Sequence, residues 1–260
     1  MTYIKENWAN KENRAEQAQR HTEEMQKKYH NEILKSIQNT KIYDVDFQGD
    51  NTKENKNTKI IVEDSDTVYA ASRYNSDGKT ALLNFSSYKN PGGMFINGSK
   101  AQEECLCHAS YLYNVLIQFT ESFYNWNNQH KNKALYLNRG LYSPNILFQQ
   151  DEKLFYCNVI TCAAPNKSAA RRYQKVSNEE NTEILQSRIK FVLDIARENH
   201  IDTLILGAYG CGVFGQNAEE VANIFKNYLE TTHKCFKKVI FAIPKGKDKN
   251  LQSFESVFHS

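Results

Sequence analysis

The residues best suited to chemistry are three consecutive polar side chains, Gln102, Glu103 and Glu104, which follow the glycine pair Gly92 and Gly93. A glycine-rich loop can wrap a sugar, and a carboxyl group at the start of the next helix can face the same crevice. One such carboxyl can protonate a leaving oxygen and later activate water, as glycosidic hydrolysis requires. Because adjacent helical residues point about 100° apart, Glu103 and Glu104 are not expected to share one role.

The acidic pair also has a purely structural interpretation. Acidic residues in the first turn of a helix are favoured by the helix dipole. Ser99 and Gln102 have the spacing of a capping box. Taken without the glycine loop, these residues would be helix caps.

A second candidate site lies in a glycine-rich turn with the sequence LGAYGCGVFG at residues 206–215. Glycine is scarce in this chain, with 11 in 260 residues. Seven of these 11 glycines fall in two short segments: Gly92, Gly93, Gly98, Gly207, Gly210, Gly212 and Gly215. Gly210, Gly212 and Gly215 satisfy the pattern GxGxxG between a predicted strand and a predicted helix, which favours a pyrophosphate cradle. A tight strand–helix turn without a ligand remains the alternative.

Other chemistry fits the residues less well. The second glycine turn lies in the last strand–helix–strand unit, and the strand that follows it ends without an acid to hold a ribose diol, so a nicotinamide site is disfavoured. Cys211 between two glycines suggests a nucleophile, but no pattern places a histidine as its base. Cys105 and His108 share a helix face without further ligands, so no metal site is predicted.

Strand and helix signals alternate from residue 59 onward, which predicts an α/β fold with helices on both faces of a sheet. The predicted strands are Lys59–Glu63, Thr80–Phe85, Leu154–Cys162, Thr203–Leu206 and Lys238–Ile243, and the predicted helices cover about 101–119, 177–199 and 217–232. Both glycine clusters then lie in loops at the carboxyl ends of strands, where such sheets bind ligands.

The N-terminal part of the chain is predicted to be helical over residues 8–39. Its apolar residues recur every three to four positions: Met25, Tyr29, Ile33, Leu34 and Ile37. This spacing favours a helix packed against its own domain, with a partner-binding arm as the alternative. Residues 48–58 are polar and predict a loop.

Composition excludes several classes of protein. A formal net charge of +3 with interspersed charges gives no basic stripe, so direct nucleic-acid binding is not expected. The sequence has no apolar run long enough for a membrane helix and no signal-peptide pattern. Its six cysteines without a secretory signal indicate reduced thiols and a cytoplasmic location.

These segments, in this order, resemble the bacterial-type poly(ADP-ribose) glycohydrolase family, a branch of the macrodomain superfamily. The matching stretches are LLNFSSYKNPGG, QEECLCHAS, GLYSPNILF, VITCAAPN and LGAYGCGVFG. The resemblance implies a three-layer α/β/α macrodomain with a mixed central sheet, spanning residues 59–260 after an N-terminal helical extension and loop at 1–58. It implies cleavage of the ribose–ribose bond of poly(ADP-ribose), ADP-ribose or ADP-ribosylated protein as partner, a monomeric state, and no metal or organic cofactor.

The same resemblance assigns roles to individual residues. Glu104 becomes the catalytic acid, and Glu103 holds ribose hydroxyls. The implied substrate-binding residues are Asn90, Gly92, Gly93, Gln102, Gly210, Cys211, Gly212, Val213 and Phe214. The family loop normally has three glycines, whereas the third position here is Met94. This departure leaves open a reader of ADP-ribose without turnover, or a hydrolase of mono-ADP-ribosylated protein or nucleobase.

Overall fold

A computed structural model of the chain describes residues 10–49 and 56–259. In these residues the helices are α1 (Lys11–Lys28), α2 (His30–Asn39), α3 (Thr67–Tyr74), α4 (Gln102–His108), α5 (Leu112–Leu116), α6 (Trp126–Gln129), α7 (Lys167–Gln174), α8 (Asn178–Glu198), α9 (Ala218–Glu230) and α10 (Asn250–Phe258). The strands are β1 (Lys41–Tyr43), β2 (Lys59–Glu63), β3 (Thr80–Phe85), β4 (Gly140–Gln150), β5 (Lys153–Cys162), β6 (Thr203–Leu206) and β7 (Lys238–Ala242).

The seven strands form one sheet in the order β1-β4-β5-β3-β6-β7-β2. Strand β4 runs antiparallel to both of its neighbours, and the other neighbouring pairs are parallel. The predicted mixed sheet is therefore confirmed.

Alternate residues of β3 enter two different apolar cores, as the two-residue period of a strand requires. On β3, Ala81 and Leu83 pack into the core that α8, α9 and α10 cover. Leu82, between them, packs into the core that contains residues of α1 to α5. All three side chains are fully buried. The three-layer α/β/α arrangement expected from the sequence is thus confirmed.

Most predicted elements agree with the structure, but the helix expected over 101–119 is interrupted. Helix α4 ends at His108, and α5 begins at Leu112. Between them, Ser110 forms a bridge with Phe148 on β4, and the Gln149 N–H donates to the Ala109 carbonyl at 2.8 Å. These long-range bonds to a strand edge replace the local helical ones.

The longest strand, β4, was not predicted. It carries a proline, Pro144, which normally argues against a strand interior. The strand accommodates it at a bulge, where the register with β5 shifts between Ser143 and Ile146. Strand β1 and helices α3, α6, α7 and α10 were also missed, all of them nine residues or shorter.

The N-terminal helices pack against the rest of the domain, as favoured above. Ala18 and Ile33 are buried in the core beneath the sheet, and β1 pairs with β4 at its edge. The predicted single helix is divided at Tyr29. Residues 8–9 and 50–55 lie outside the described residues, and 48–49 with 56–58 have no regular structure. The domain boundary at residue 58 stays a prediction.

In the part of the chain that the structure describes, no helix has both the length and the apolar character needed to cross a membrane. In the same residues, no group of three or more His, Cys, Asp or Glu side chains is placed to hold a metal ion.

Candidate active site

The two glycine loops leave neighbouring parallel strands at the same edge of the sheet. Strands β3 and β6 pair through Leu82 and Ile205, and their carboxyl ends lead into residues 86–97 and 207–215. At the start of the second loop, Gly207 lies so close to Phe85 that an added Cβ would be 3.1 Å from its ring. The tertiary structure therefore brings together the two segments that the sequence identified separately.

Three aromatic rings connect the two loops. Tyr88 of the first loop stacks on Tyr136 with centroids 4.0 Å apart, and Tyr136 meets Phe214 of the second loop edge-on at 6.2 Å. The Tyr88 hydroxyl donates to the His130 carbonyl at 2.9 Å, which anchors this row of rings. The row of rings therefore extends from the first loop to the second.

The first loop needs glycine at two successive positions. Gly92 and Gly93 both have positive φ, +62° and +63°, which L side chains rarely adopt. A Cβ on Gly93 would lie 2.5 Å from Oε1 of Glu104 and 3.0 Å from Oε2 of Glu103. Both carboxyl groups thus face the same point of the loop backbone, although the helical spacing predicted that they would diverge.

Glu103 is buried and held by the end of β3. Its Oε2 accepts the Ser87 N–H at 2.6 Å, and its Oε1 accepts from the side-chain amide of Asn84 at 3.1 Å. Burial raises the pKa of Glu103 to about 8, against the opposing effect of these two hydrogen bonds. At neutral pH Glu103 therefore retains its proton.

Glu104 joins the glycine loop to its own helix. Its Oε1 accepts the Met94 N–H at 2.9 Å, and its Oε2 accepts the Ala101 N–H at 2.8 Å. The side chain is 6% exposed. Ala101 is the N-cap of α4, so the predicted cap at Ser99 is wrong, and Glu104 at the third helical position supplies the side-chain half of the capping interaction.

Gln102 fixes the start of α4 to β3. Its amide nitrogen donates to the Leu83 carbonyl at 2.8 Å and to the Thr67 hydroxyl at 3.3 Å, while its oxygen accepts the Phe85 N–H at 2.8 Å. Both amide atoms are therefore engaged by the protein itself. In this arrangement Gln102 sets the position of the two glutamates that follow it.

Met94 follows the two loop glycines and contributes a backbone N–H to the loop's contact with Glu104. Its N–H is the group that contacts Glu104, and its side chain is 42% exposed. Its sulfur lies 3.9 Å from the side-chain amide nitrogens of both Asn90 and Asn97. The thioether thus lies between two amides at the loop surface, and its backbone still reaches the carboxylate.

The second loop presents three consecutive backbone amides. In the described part of the chain, the N–H groups of Gly212, Val213 and Phe214 have no hydrogen-bond acceptor. The flanking amides are used internally: Cys211 donates to Ala208 at 3.1 Å, and Gly215 donates to Gly212 at 3.0 Å. Successive free N–H groups in a turn form a concave anion site.

Two features of this loop differ from a simple nucleotide turn. Helix α9 starts at Ala218, where the Asn217 side chain caps it and Glu219 and Glu220 occupy its first turn, so its N-terminus is already neutralised. The groups available to donate hydrogen bonds to an anion are therefore the loop amides and not that helix end. Burial raises the pKa of the Cys211 thiol to about 12, which argues against a thiolate nucleophile.

Sequence reasoning missed Asn84 and Tyr136. Asn84 donates a hydrogen bond to Glu103 and is fully buried. The sequence feature that could have indicated this role is a single amide side chain inside the otherwise apolar strand TALLNF. Tyr136 stacks on Tyr88 from a segment about 50 residues farther along the chain. Nothing in the local sequence indicated that contact.

Comparison with known proteins identifies the family. A model of the microbial-type PARG catalytic domain matches residues 10–151, more than half of the chain. The chain belongs to this family. PARG denotes poly(ADP-ribose) glycohydrolase, so the chain is a glycohydrolase of that class, and the resemblance read from its motifs is confirmed. No curated protein matches the sequence.

Solved PARG structures share the whole architecture. PARG from Thermomonospora curvata is 26% identical with a TM-score of 0.86, and the match covers 95% of this chain and 100% of that chain. The same enzyme bound to the inhibitor ADP-HPD is 26% identical with a TM-score of 0.82, covering 94% and 99%. PARG from Deinococcus radiodurans in complex with ADP-ribose is 30% identical with a TM-score of 0.80, covering 87% and 96%.

Proposed function

We propose that this PARG-family enzyme cleaves the ribose–ribose bond of poly(ADP-ribose) with Glu104 as general acid and then general base. The observation that carries the proposal is the position of Gly93, whose missing side chain leaves its backbone directly over both carboxyl groups. A sugar held by this loop has the Glu104 carboxyl within reach. Such positioning lowers the barrier because the catalytic group need not be brought in from solution.

Glu104 supplies the proton for the leaving oxygen. Glu103 lies in the buried position beside it, with its pKa raised to about 8, and accepts hydrogen bonds from hydroxyl groups of the distal ribose. Glu104 then protonates the departing 2′-oxygen as an oxocarbenium-like sugar develops, and afterwards removes a proton from water.

The second loop holds the diphosphate of the same unit. The free amides of Gly212, Val213 and Phe214 point to an anionic ligand, and Gly210 packs on Ala164, where a Cβ would be only 2.9 Å away. The Phe214 ring lies against the adjoining ribose, and Asn90 contacts the distal ribose. The protein acts on its substrate without a metal or organic cofactor, as a monomer in the cytoplasm, and its fold is that of a macrodomain.

The test of catalysis is Glu104→Gln, which preserves the side-chain size and removes the acid. We expect kcat on poly(ADP-ribose) to fall by about a hundredfold to ten-thousandfold, because general acid–base groups contribute roughly 10²–10⁴. ADP-ribose affinity, measured by calorimetry, should stay within about threefold. Glu24→Gln on the exposed surface of α1 is the matched control and should behave as wild type.

Two results would contradict the proposal. A Glu104→Gln enzyme that retains a tenth or more of wild-type kcat would remove Glu104 from the chemistry. Wild-type protein that binds ADP-ribose but releases none from the polymer would be the reader module instead. Parallel assays on mono-ADP-ribosylated protein and nucleobase separate the remaining substrates.

A further inference from the structure

A basic segment lies beside the second glycine loop. Residues 163–178 contain four basic side chains and no acidic one, against +3 for the whole chain. They are Lys167, Arg171, Arg172 and Lys175, on helix α7 and the residue after it.

Three of these basic side chains, Arg171, Arg172 and Lys175, are exposed and lie beside an exposed aromatic ring. Tyr173 is 67% exposed, and the Arg172 guanidinium lies 5.3 Å from the centre of its ring. In the described residues no carboxylate pairs with Arg171, Arg172 or Lys175, whereas Lys167 pairs with Glu220 at 3.6 Å. We call Arg171, Arg172, Tyr173 and Lys175 the α7 surface.

The α7 surface is attached to the loop that presents the free amides. The Ser168 N–H donates to the Phe214 carbonyl at 3.0 Å, and Gly215 lies directly against the Ser168 hydroxyl. Arg171 and Arg172 follow within about one helical turn, roughly 6 Å along the axis at 1.5 Å per residue. These cations therefore lie close to the loop that presents the free amides.

We propose that the α7 surface binds the part of poly(ADP-ribose) that extends beyond the unit being cleaved. The inference rests on the proposed function and adds to it a second contact region for the same polymer. Each further unit carries a diphosphate and an adenine, and guanidinium groups with an adjacent aromatic ring suit this combination of charge and flat base. Nucleic acid shares part of this chemistry, so it enters the test as a competing outcome.

The main experiment compares Arg171→Glu/Arg172→Glu with Lys27→Glu/Lys28→Glu. Both double variants change the charge equally, and Lys27 and Lys28 are exposed on α1. We expect the α7 variant to raise KM for long polymer by about tenfold with kcat unchanged, because phosphate contacts supply the salt-dependent part of binding. The α1 variant should match wild type. ADP-ribose affinity should be unchanged in both, since the cleavage pocket is intact.

Two further measurements test the chemistry of the surface. The log of kcat/KM against the log of salt concentration should be shallower by about 1.4 in the α7 variant, roughly 0.7 for each lost phosphate contact. Tyr173→Ala should weaken binding of long polymer by about fivefold or more, because it removes a stacking ring. Neither change should alter ADP-ribose affinity.

Equal KM values for wild type and the α7 variant on long polymer would overturn the inference. It is also overturned if a single-stranded oligonucleotide of matched charge binds the wild type as tightly as the polymer does and weakens equally in the variant. If the protein does not hydrolyse the polymer, the affinity of Glu104→Gln protein for long polymer can still be compared with and without the Arg171→Glu/Arg172→Glu substitutions. Failure of the proposed function is therefore distinguishable from failure of this inference.

Discussion

Gly93 shows how one missing side chain connects a loop to its chemistry. Its positive φ and the carboxyl oxygens 2.5 and 3.0 Å from an added Cβ leave no room for any other residue. In the proposed function, the same point of backbone positions a bound sugar relative to Glu104. Two constraints, conformational and steric, thus act at one position.

Gly93→Ala is expected to lower kcat/KM by at least about a hundredfold, since displacing a catalytic carboxyl by about 1 Å has an effect of this size. It should also lower the free energy of unfolding by roughly 1 kcal/mol or more because of the positive φ. Gly246→Ala is the matched control, as its added Cβ meets nothing closer than 3.6 Å. Kinetics and denaturant unfolding check both. Full activity in Gly93→Ala would contradict the geometry.

Glu103 predicts a pH dependence of stability. The folded protein holds its proton up to about pH 8, whereas the unfolded chain loses it near pH 4.5. Between these values the folded state binds more protons, so the free energy of unfolding falls as pH rises from about 4.5 to 8. Urea unfolding of wild type and Glu103→Gln at pH 5 and 8 measures this. The decline should be smaller in Glu103→Gln, and an identical decline in both would assign it to other groups.

At the scale of elements, the second glycine loop is packed against the protein at Gly210 and open to space at Gly212. Gly210 packs on Ala164, and the Gln216 side chain donates to the Pro165 carbonyl at 2.8 Å. At Gly212, by contrast, an added Cβ would meet nothing within 4 Å. The loop is therefore packed on the side of Gly210, and the space beside Gly212 is open.

Gly212→Ala separates folding from ligand binding. Because the space beside Gly212 is open and its φ is not positive, the melting temperature should stay within about 2 °C of wild type. The added methyl group occupies the approach of the diphosphate, so the Kd for ADP-ribose should rise by about tenfold or more. Gly246→Ala, at an open position outside the loop, is the matched control and should bind normally. Unchanged affinity in Gly212→Ala would place the diphosphate elsewhere.

At the scale of the whole molecule, the N-terminal segment is part of the domain's packing. Ser36 donates to the Pro144 carbonyl at 2.8 Å, and the Asn199 side chain donates to the Tyr43 hydroxyl at 2.8 Å. Each of these bonds joins two residues that are more than 100 positions apart in the sequence. Helix α2 and strand β1 should therefore unfold together with the sheet.

Ile33→Ala tests this integration. Ile33 is 1% exposed in the core beneath the sheet, so removing its side chain should lower the free energy of unfolding by roughly 2–4 kcal/mol in a single transition. Leu34→Ala on the same helix, at 40% exposure, should cost less than about 1 kcal/mol. Calorimetry or urea unfolding gives both values. A separate early transition with an unchanged main one would mark an independent arm.

The sequence by itself determined the local features of this protein. Short β-branched strands, two glycine clusters and an acidic pair at a helix start follow from backbone conformation and periodicity, and together they carried the fold class and the family. Tertiary structure decided what depends on contacts between distant residues. It broke the helix at Ser110, allowed Pro144 inside β4, stacked Tyr136 on Tyr88 and turned both glutamates toward Gly93. Local propensity cannot report these contacts, because each is stabilised by a partner far away in the chain.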